Sequence, residues 1–163
     1  MLNSTKVTKF YDRKADSYDK LMEMLDEQIK KFLLQHPIQI PEGAKILDIG
    51  SGTGLIEEIL ALKSSSCMII AMDCSRNMLE RCIRKLNRAD SEKVILVNGD
   101  FNSEQPFYTY PGNCEITLEK SSFDMVFASG SVEYGLKNAV RLAYSSLKPG
   151  GRFFNIGVRP NLV

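Results

Sequence analysis

Carboxylates stand at the ends of three short apolar segments. Asp48, Asp73 and Asp100 each end or directly follow a run of aliphatic residues that is typical of a buried strand. The carboxyl ends of parallel strands meet at one edge of a sheet, so we expect these acids to converge. Asp73 can accept hydrogen bonds from two ribose hydroxyls. Asp100 can accept one from an adenine amino group, with the ring of Phe101 against the base. Together the three acids predict a nucleoside site.

A glycine-rich loop follows the first of these segments. Gly50, Gly52 and Gly54 alternate with Ser and Thr, beginning two residues after Asp48. Glycine allows the backbone to turn sharply between a strand and a helix and to approach a ligand closely. The dinucleotide fingerprint would carry its third glycine where Leu55 stands. An NAD-dependent oxidoreductase is therefore the weaker interpretation of this loop.

The loop and the acids belong to a chain in which strands and helices alternate. The apolar pattern predicts strands at residues 45–48, 68–73, 94–97, 123–128 and 152–158. Helices are predicted after Ser17, after Gly54, after Ser75, which can cap its helix, and over residues 138–147. This alternation is typical of an α/β fold with a parallel sheet covered on both faces. Residues 107–119 break the alternation, and we expect a surface excursion there that could form a small hairpin.

Length and composition narrow the class of protein further. The 163 residues suffice for one domain, and an apolar content of 44% is not that of a disordered chain. A formal net charge of +1 argues against a dedicated DNA-coating protein. Four cysteines without a CxxC pair and one histidine, His36, make a closed zinc site unexpected. No segment resembles a signal peptide or reaches the length of a bilayer span, so we expect a cytoplasmic protein.

One predicted helix carries a cluster of basic side chains. Arg81, Arg84, Lys85 and Arg88 share a face after the cap at Ser75. Such a face could bind nucleic acid or an acidic partner, but we favour a solvated helix surface.

Taken in order, these motifs resemble the class I S-adenosylmethionine-dependent methyltransferases. The matching segments are LDIGSGTG at residues 47–54, the strand end at Asp73, NGDF at 98–101, FDMVFASGS at 123–131 and LKPGGRFF at 147–154. The stretch YDRKADSYD at residues 11–19 is similar to the YDxxAxxYD segment of the small-molecule branch, which includes quinone-methylating enzymes. The resemblance implies a Rossmann-like, doubly wound sheet with the strand order 3-2-1-4-5.

The same resemblance implies S-adenosyl-L-methionine as the cofactor and a place for each of its parts. The glycine loop would contact the methionine part, Asp73 the ribose, and Asp100 with Phe101 the adenine. Asp48 would order the loop and the amino end of the cofactor. The cofactor-binding residues predicted in this way are Tyr11, Asp48, Gly50, Ser51, Gly52, Gly54, Asp73, Cys74, Met78, Gly99, Asp100, Phe101 and Ser129.

The expected reaction is methyl transfer to a small-molecule acceptor by in-line displacement, without a metal. The nucleophile, the methyl carbon and the sulfur must be nearly collinear, and this orientation supplies much of the rate acceleration. The acceptor should meet the cofactor beyond the fourth strand, where Glu133 and Tyr134 are the polar candidates. Tyr18 is a third candidate, because the resemblance implies that the N-terminal segment folds over the cofactor.

The resemblance also defines what to expect at the two ends of the domain. Residues 1–163 form one domain, with residues 1–41 as a helical lid and residues 42–163 as the core. Complete members carry a C-terminal antiparallel hairpin that this chain lacks. A truncated or non-catalytic S-adenosylmethionine-binding module that acts with a partner is therefore the alternative function. The apolar strand from Arg152 to Val158 would be an open edge, which predicts a homodimer through it.

Overall fold

The strands of the protein lie in a single sheet. A computed structural model gives the fold and describes residues 4–63, 66–86, 92–103, 106–130 and 135–157. Within these ranges the strands are β1 (Lys45–Ile49), β2 (Met68–Asp73), β3 (Val94–Asn98), β4 (Phe107–Tyr110), β5 (Glu115–Ile116), β6 (Phe123–Ser129) and β7 (Leu147–Ile156). Their spatial order is β5-β4-β3-β2-β1-β6-β7.

Five adjacent parallel strands confirm the predicted fold. β1 lies between β2 and β6, β3 lies beside β2, and β7 lies beside β6. These five follow the predicted order 3-2-1-4-5. The register pairs Ile49 with Met72 and Asp73 with Asn98. The carboxyl ends of β1, β2 and β3 are therefore level, and the segments that follow them share one edge of the sheet.

The excursion at residues 107–119 is the small hairpin that the sequence allowed. β4 pairs antiparallel with β3 and with β5, so the hairpin extends the sheet beyond β3. Phe107 lies directly over Gly99, since a Cβ atom on that glycine would come within 2.2 Å of its ring. The close approach explains why the residue before Asp100 is a glycine.

Helices cover both faces of the sheet. They are α1 (Ser4–Gln35), α2 (Leu55–Lys63), α3 (Arg76–Lys85) and α4 (Leu136–Ser146) within the described residues. One buried cluster joins the sheet to α1, α2 and α3, and a second lies under α4. The adjacent residues Ile46 and Leu47 belong to opposite clusters, and both are fully buried. Burial on both faces is what a run of aliphatic residues in a parallel strand requires.

Two boundaries differ from the prediction. α1 begins at Ser4, well before the predicted start after Ser17, because its first turns dock through polar side chains that apolar periodicity does not detect. β7 begins at Leu147 rather than at Arg152, and the helix before it ends at Ser146. The predicted turn at residues 149–151 lies where the register shifts between the pairs Phe123–Leu147 and Met125–Arg152. Val158, the predicted end of this strand, is outside the described residues.

Candidate functional site

A cavity with about 680 Å³ of space, part of it open to solvent, lies at the carboxyl edge of the parallel strands. We call it the first cavity. Its walls come from α1, the glycine loop, the ends of β2, β3 and β6, and the start of α3. Eleven of the residues singled out from the sequence line it, namely Tyr11, Tyr18, Gly50, Gly52, Asp73, Cys74, Met78, Gly99, Asp100, Phe101 and Ser129. The structure therefore brings together segments that are far apart in the chain.

Asp73 lies at the centre of the first cavity and holds its walls in place. Its Oδ2 accepts a hydrogen bond of 2.9 Å from the backbone N–H of Gly52, and its Oδ1 accepts one of 2.7 Å from that of Ser75. Burial raises the pKa of Asp73 to about 6, although both backbone hydrogen bonds act to lower it. Each carboxylate oxygen has a second lone pair, so Asp73 can still accept from a bound hydroxyl.

Apolar and polar groups alternate at the end of the first cavity that Asp100 occupies. Phe101, Met78 and Cys74 supply the apolar surface. The Oδ1 atom of Asp100 accepts a 2.8 Å hydrogen bond from the backbone N–H of Asn102, which fixes the turn after β3. Burial raises the pKa of the Cys74 thiol to about 12, so this cysteine is a neutral packing group there.

Asn98 is a structural residue of this site that the sequence analysis missed. Its side-chain amide donates to the carbonyl oxygens of Asp73 and Cys74, both at 3.1 Å, and ties the end of β3 to the end of β2. Its place directly before Gly99-Asp100 is the signal that could have found it.

The glycines of the loop have different tasks. Gly50 and Gly52 have φ angles of +75° and +57°, and a Cβ atom on Gly52 would meet nothing within 4 Å. Gly52 therefore leaves space for a ligand. A Cβ atom on Gly54 would lie 2.6 Å from the Sγ atom of Cys82 in α3. Gly54 lines neither cavity described here and instead allows the loop to pack on α3, which differs from its predicted contact with the cofactor.

Two fully buried acids lie beneath the loop. Asp48 in β1 and Glu57 in α2 have no exposed surface, and no described residue provides either carboxyl with a hydrogen bond of acceptable geometry. Burial raises the pKa of Asp48 to about 7 and that of Glu57 well above its usual range, the latter increased further by Asp48. Asp48 thus lies under the floor of the first cavity, not in its wall. Glu57 was not singled out from the sequence.

The spacing of residue types at residues 11–19 corresponds to one face of α1. Tyr11 and Tyr18 are seven residues apart, which is two turns of α1, and both line the first cavity with their ring centroids 5.9 Å apart. Ala15 lies between them and is 3% exposed. One face of α1 therefore forms a wall of the first cavity, and its role as a lid stays a prediction.

The aspartates of the same segment join α1 to α3 and to the glycine loop. Asp12 accepts a 2.6 Å hydrogen bond from the hydroxyl of Ser75, the residue that caps α3. Asp19 accepts bonds of 2.6 Å from the hydroxyl of Thr53 and from the ammonium group of Lys85. Along the same boundary, Asp16 pairs with Arg81, and the side-chain amide of Asn77 donates a hydrogen bond to the backbone carbonyl of Asp12. We call this set of contacts the polar seam.

The basic side chains of α3 take part in contacts within the domain, several of them in the polar seam. Arg81 and Lys85 are engaged by aspartates of α1, and Arg84 pairs with Glu80 on α3 itself. The fourth residue of that face, Arg88, lies outside the described residues. These three basic side chains are therefore paired with acidic side chains of the same domain.

A second cavity of about 510 Å³ lies between α1 and the glycine loop. It shares Tyr18, Gly50, Gly52, Ser129 and Gly130 with the first cavity. Ser51, predicted to bind the cofactor, lines the second cavity and not the first. The predicted acceptor-side residues Glu133 and Tyr134 lie outside the described residues.

The fold and this site define a Rossmann-like domain with a cavity suited to a nucleoside. S-Adenosylmethionine fits the first cavity, because Asp73 and Asp100 offer acceptors, Phe101 and Met78 offer an apolar surface, and Gly52 leaves the cradle open. No group of histidines, cysteines and acids that could hold a metal occurs in the part of the chain that the structure describes. Nor does any helix in that part have the length and apolar content to cross a membrane.

Comparison with known proteins identifies the family. The family model described as "Methyltransferase domain" matches residues 46–151, and the chain belongs to this family. The malonyl-[acyl-carrier protein] O-methyltransferase of Priestia megaterium is 23% identical over 154 residues, which cover 93% of this chain and 50% of that protein. The demethylmenaquinone methyltransferase of Clavibacter sepedonicus is 28% identical over 155 residues, covering 90% and 55%. The chain thus spans about half the length of these relatives.

A solved structure supports the fold. The methyltransferase in the complex with the Trm112 activator of Haloferax volcanii has a TM-score of 0.70 with 22% identity, covering 89% of this chain and 58% of that one. The family match and the relatives named methyltransferases confirm the resemblance to class I S-adenosylmethionine-dependent methyltransferases, with S-adenosylmethionine as the cofactor.

Proposed function

We propose that this protein transfers the methyl group of S-adenosylmethionine to a small-molecule acceptor. The observation that carries the proposal is the convergence of the glycine loop, Asp73, Asp100 and two tyrosines of α1 on the first cavity. Two acids and an open loop suit the nucleoside and methionine parts of the cofactor. Membership of the methyltransferase domain family supports the same chemistry.

The chain's own residues would bind and orient the reactants. When bound, S-adenosylmethionine supplies a methyl group on a positively charged sulfur. In-line displacement then needs only a fixed approach of the acceptor, so geometry can replace a dedicated base when the acceptor carries no proton to lose. Tyr18 lines both cavities and is the described residue best placed to contact cofactor and acceptor together. Roles for Glu133 and Tyr134 on the acceptor side remain predictions.

A pair of glycine variants tests cofactor binding. Gly52 and Gly43 share a positive φ, +57° and +68°, and neither has an atom within 4 Å of its missing Cβ. Alanine at either position costs about 1 kcal/mol of backbone strain. Only Gly52→Ala places its methyl group in the first cavity. In calorimetry, we expect Gly52→Ala to weaken S-adenosylmethionine binding at least about tenfold and Gly43→Ala to leave it unchanged. Equal affinities of the two variants would refute the assignment of the cavity.

Turnover separates an enzyme from a binding module. The relatives' names give chemically different acceptors, a malonyl group on acyl carrier protein and demethylmenaquinone, so the family alone selects no acceptor. Formation of S-adenosylhomocysteine that depends on an added acceptor, and is lost in Gly52→Ala, supports the enzyme. Tight cofactor binding without turnover across neutral, anionic and cationic acceptors supports the alternative, a non-catalytic module.

We also propose that the open edge of β7 pairs with a second copy of the chain. β7 pairs with β6 on one side, and no described strand lies on its other side. The carbonyl of Ile156 accepts from the N–H of Gly130. Backbone groups alternate in direction along a strand, so those of Phe153 and Asn155 face the open edge. Unpaired groups of this kind favour strand addition.

A further inference from the structure

The second cavity adjoins the first across the glycine loop. Gly50 and Gly52 form the floor between them, and Tyr18 stands at the boundary. A molecule in the second cavity would therefore lie next to a cofactor in the first. This is the arrangement that group transfer between two bound molecules requires.

The walls of the second cavity are mainly apolar. α1 contributes Met22, Leu25 and Ile29, and α2 contributes Leu55 and Ile56. A wall of this composition favours an aliphatic or aromatic ligand, since burial of apolar surface supplies most of the binding free energy.

The charged side chain that lines the second cavity is negative. No lysine or arginine among the described residues lines either cavity, whereas the carboxyl of Asp26 lines the second. Asp26 also borders an outer groove that holds five carboxylates and three lysines. Burial raises the pKa of Asp26, with Asp19 and Glu58 adding to the effect and Lys85 and Lys30 opposing it. An anionic ligand would meet no lysine or arginine in the wall of the second cavity and would face the carboxyl of Asp26.

We propose that the second cavity is the acceptor site and that it takes an uncharged, largely apolar molecule with one hydrogen-bond donor directed at Asp26. The proposal rests on the proposed function and names its substrate class. Acceptors that carry a carboxylate or a phosphate are excluded by the charge of the wall, because a buried anion without a partner is strongly disfavoured.

Matched aromatic compounds test the class of ligand. A naphthol and the naphthoate substituted at the same ring position have the same apolar body and differ in charge at neutral pH. Calorimetric titration, with and without saturating S-adenosylhomocysteine, gives their affinities. We expect the naphthol to bind at least about tenfold more tightly than the naphthoate, and Asp26→Asn to reduce that ratio.

Two methionine variants of α1 test the place of binding. Met22 lines the second cavity, and Met24, two residues away, is 81% exposed. Met22→Trp fills the cavity and should weaken naphthol binding by about tenfold or more, whereas Met24→Trp should change it by less than about twofold. Both variants should bind S-adenosylhomocysteine as the wild type does.

The outcomes separate this inference from the proposed function. Naphthol binding that is insensitive to Met22→Trp, or a naphthoate that binds as tightly as the naphthol, overturns the inference while intact S-adenosylhomocysteine binding leaves the proposed function standing. Failure to bind S-adenosylhomocysteine overturns the proposed function, and with it the role as acceptor site. Loss of naphthol binding in Met22→Trp alone, together with retained S-adenosylhomocysteine binding, supports both.

Discussion

At the scale of single residues, the buried acids Asp48 and Glu57 set the response of the protein to pH. The pKa of Asp48 is raised from 3.8 to about 7, and that of Glu57 is raised well above 4.5. Between the ordinary and the raised values, the folded chain holds protons that the unfolded chain releases. The stability that this proton uptake provides is complete below about pH 4 and is lost as the pH rises toward 7.

The variant Glu57→Gln tests this coupling. A glutamine keeps the volume, cannot ionise and can donate a hydrogen bond to Asp48. We expect the free energy of unfolding near pH 8 to increase by roughly 1–3 kcal/mol and its fall between pH 5 and 8 to become shallower. Denaturant unfolding at several pH values measures both quantities.

A neighbouring residue provides the control for that variant. Glu58 is half-exposed, and its carboxyl lies 3.6 Å from the ammonium group of Lys30. Glu58→Gln should leave the pH dependence as it is. A wild-type slope that persists unchanged in Glu57→Gln would contradict the assignment. Part of the slope should remain in any case, because burial also raises the pKa of Asp73.

Residue types and spacing led to residues that line the first cavity where the chemistry is local. Asp73 and Gly52 follow from strand ends and loop spacing, and both line the first cavity. The role of Gly54 could not be predicted in this way. A Cβ atom there would clash with the thiol of Cys82, which lies on a helix that follows one strand later. Glu57 escaped notice because its helix position is ordinary and only the packing of α2 on β1 buries it.

At the scale of secondary-structure elements, the polar seam holds α1 over the first cavity. Its ion pairs are half-exposed, with side-chain exposures of 42% for Asp19 and 27% for Lys85. Pairs of this kind contribute about 0.2–1 kcal/mol each and are screened by salt. Their combined effect should therefore be seen in how long the cofactor stays bound rather than in whether the domain folds.

Asp19→Asn removes the charge that serves both Thr53 and Lys85. We expect the dissociation of S-adenosylhomocysteine to become about two- to fivefold faster. Added salt should accelerate dissociation in the wild type more than in the variant. Stopped-flow displacement measures both rates.

The control for the seam lies on the same helix. Arg84 pairs with Glu80 within α3, and no hydrogen bond or ion pair joins it to α1 among the described residues. Arg84→Gln should leave the dissociation rate and its salt dependence unchanged. If Arg84→Gln and Asp19→Asn behave alike, the seam does not retain the cofactor.

The extent of α1 shows where sequence patterns stop being informative. Ile29 and Leu33 are buried against the sheet and gave the predicted second half of the helix. The first half docks on α3 by Asp12 and Asp16, whose partners Ser75 and Arg81 lie more than sixty residues away. Periodicity within a segment carries no information about a partner that far away along the sequence.

At the scale of the whole molecule, the open edge of β7 predicts self-association. Asn155→Pro removes an N–H that faces the edge, while Ile156→Pro removes one on the side of β6. We expect Asn155→Pro to reduce dimer formation with little loss of stability. Ile156→Pro should cost about 1–3 kcal/mol of stability, because it removes a ladder hydrogen bond and leaves its acceptor unpaired. Sedimentation across a concentration series and thermal unfolding measure the two effects.

Two results would contradict the dimer. One is a wild-type chain that sediments as a monomer at high concentration. The other is a dimer that Asn155→Pro leaves intact, which would place the contact elsewhere.

The alternation of strands and helices predicted a parallel sheet, and the order of its strands was predictable from the resemblance to the methyltransferase family. The hairpin of β4 and β5 was harder to anticipate, since its strands have only four and two residues. Its position is set by tertiary contact, with Phe107 packed on Gly99 and Arg76 bonded to Asn113. Turn residues alone indicated an excursion but not that it would lengthen the sheet.

The polar seam also constrains the order in which parts of the chain can dock during synthesis. Asp12 and Ser75 are separated by 63 residues, and Asp19 and Lys85 by 66. During synthesis α1 is made before α3, so the contacts of the polar seam can form only after residues 75–85 have been made. Docking of α1 is then a late event with a long loop to close. The contacts that complete the cavity last are also the ones that local opening should release first, well before the sheet itself.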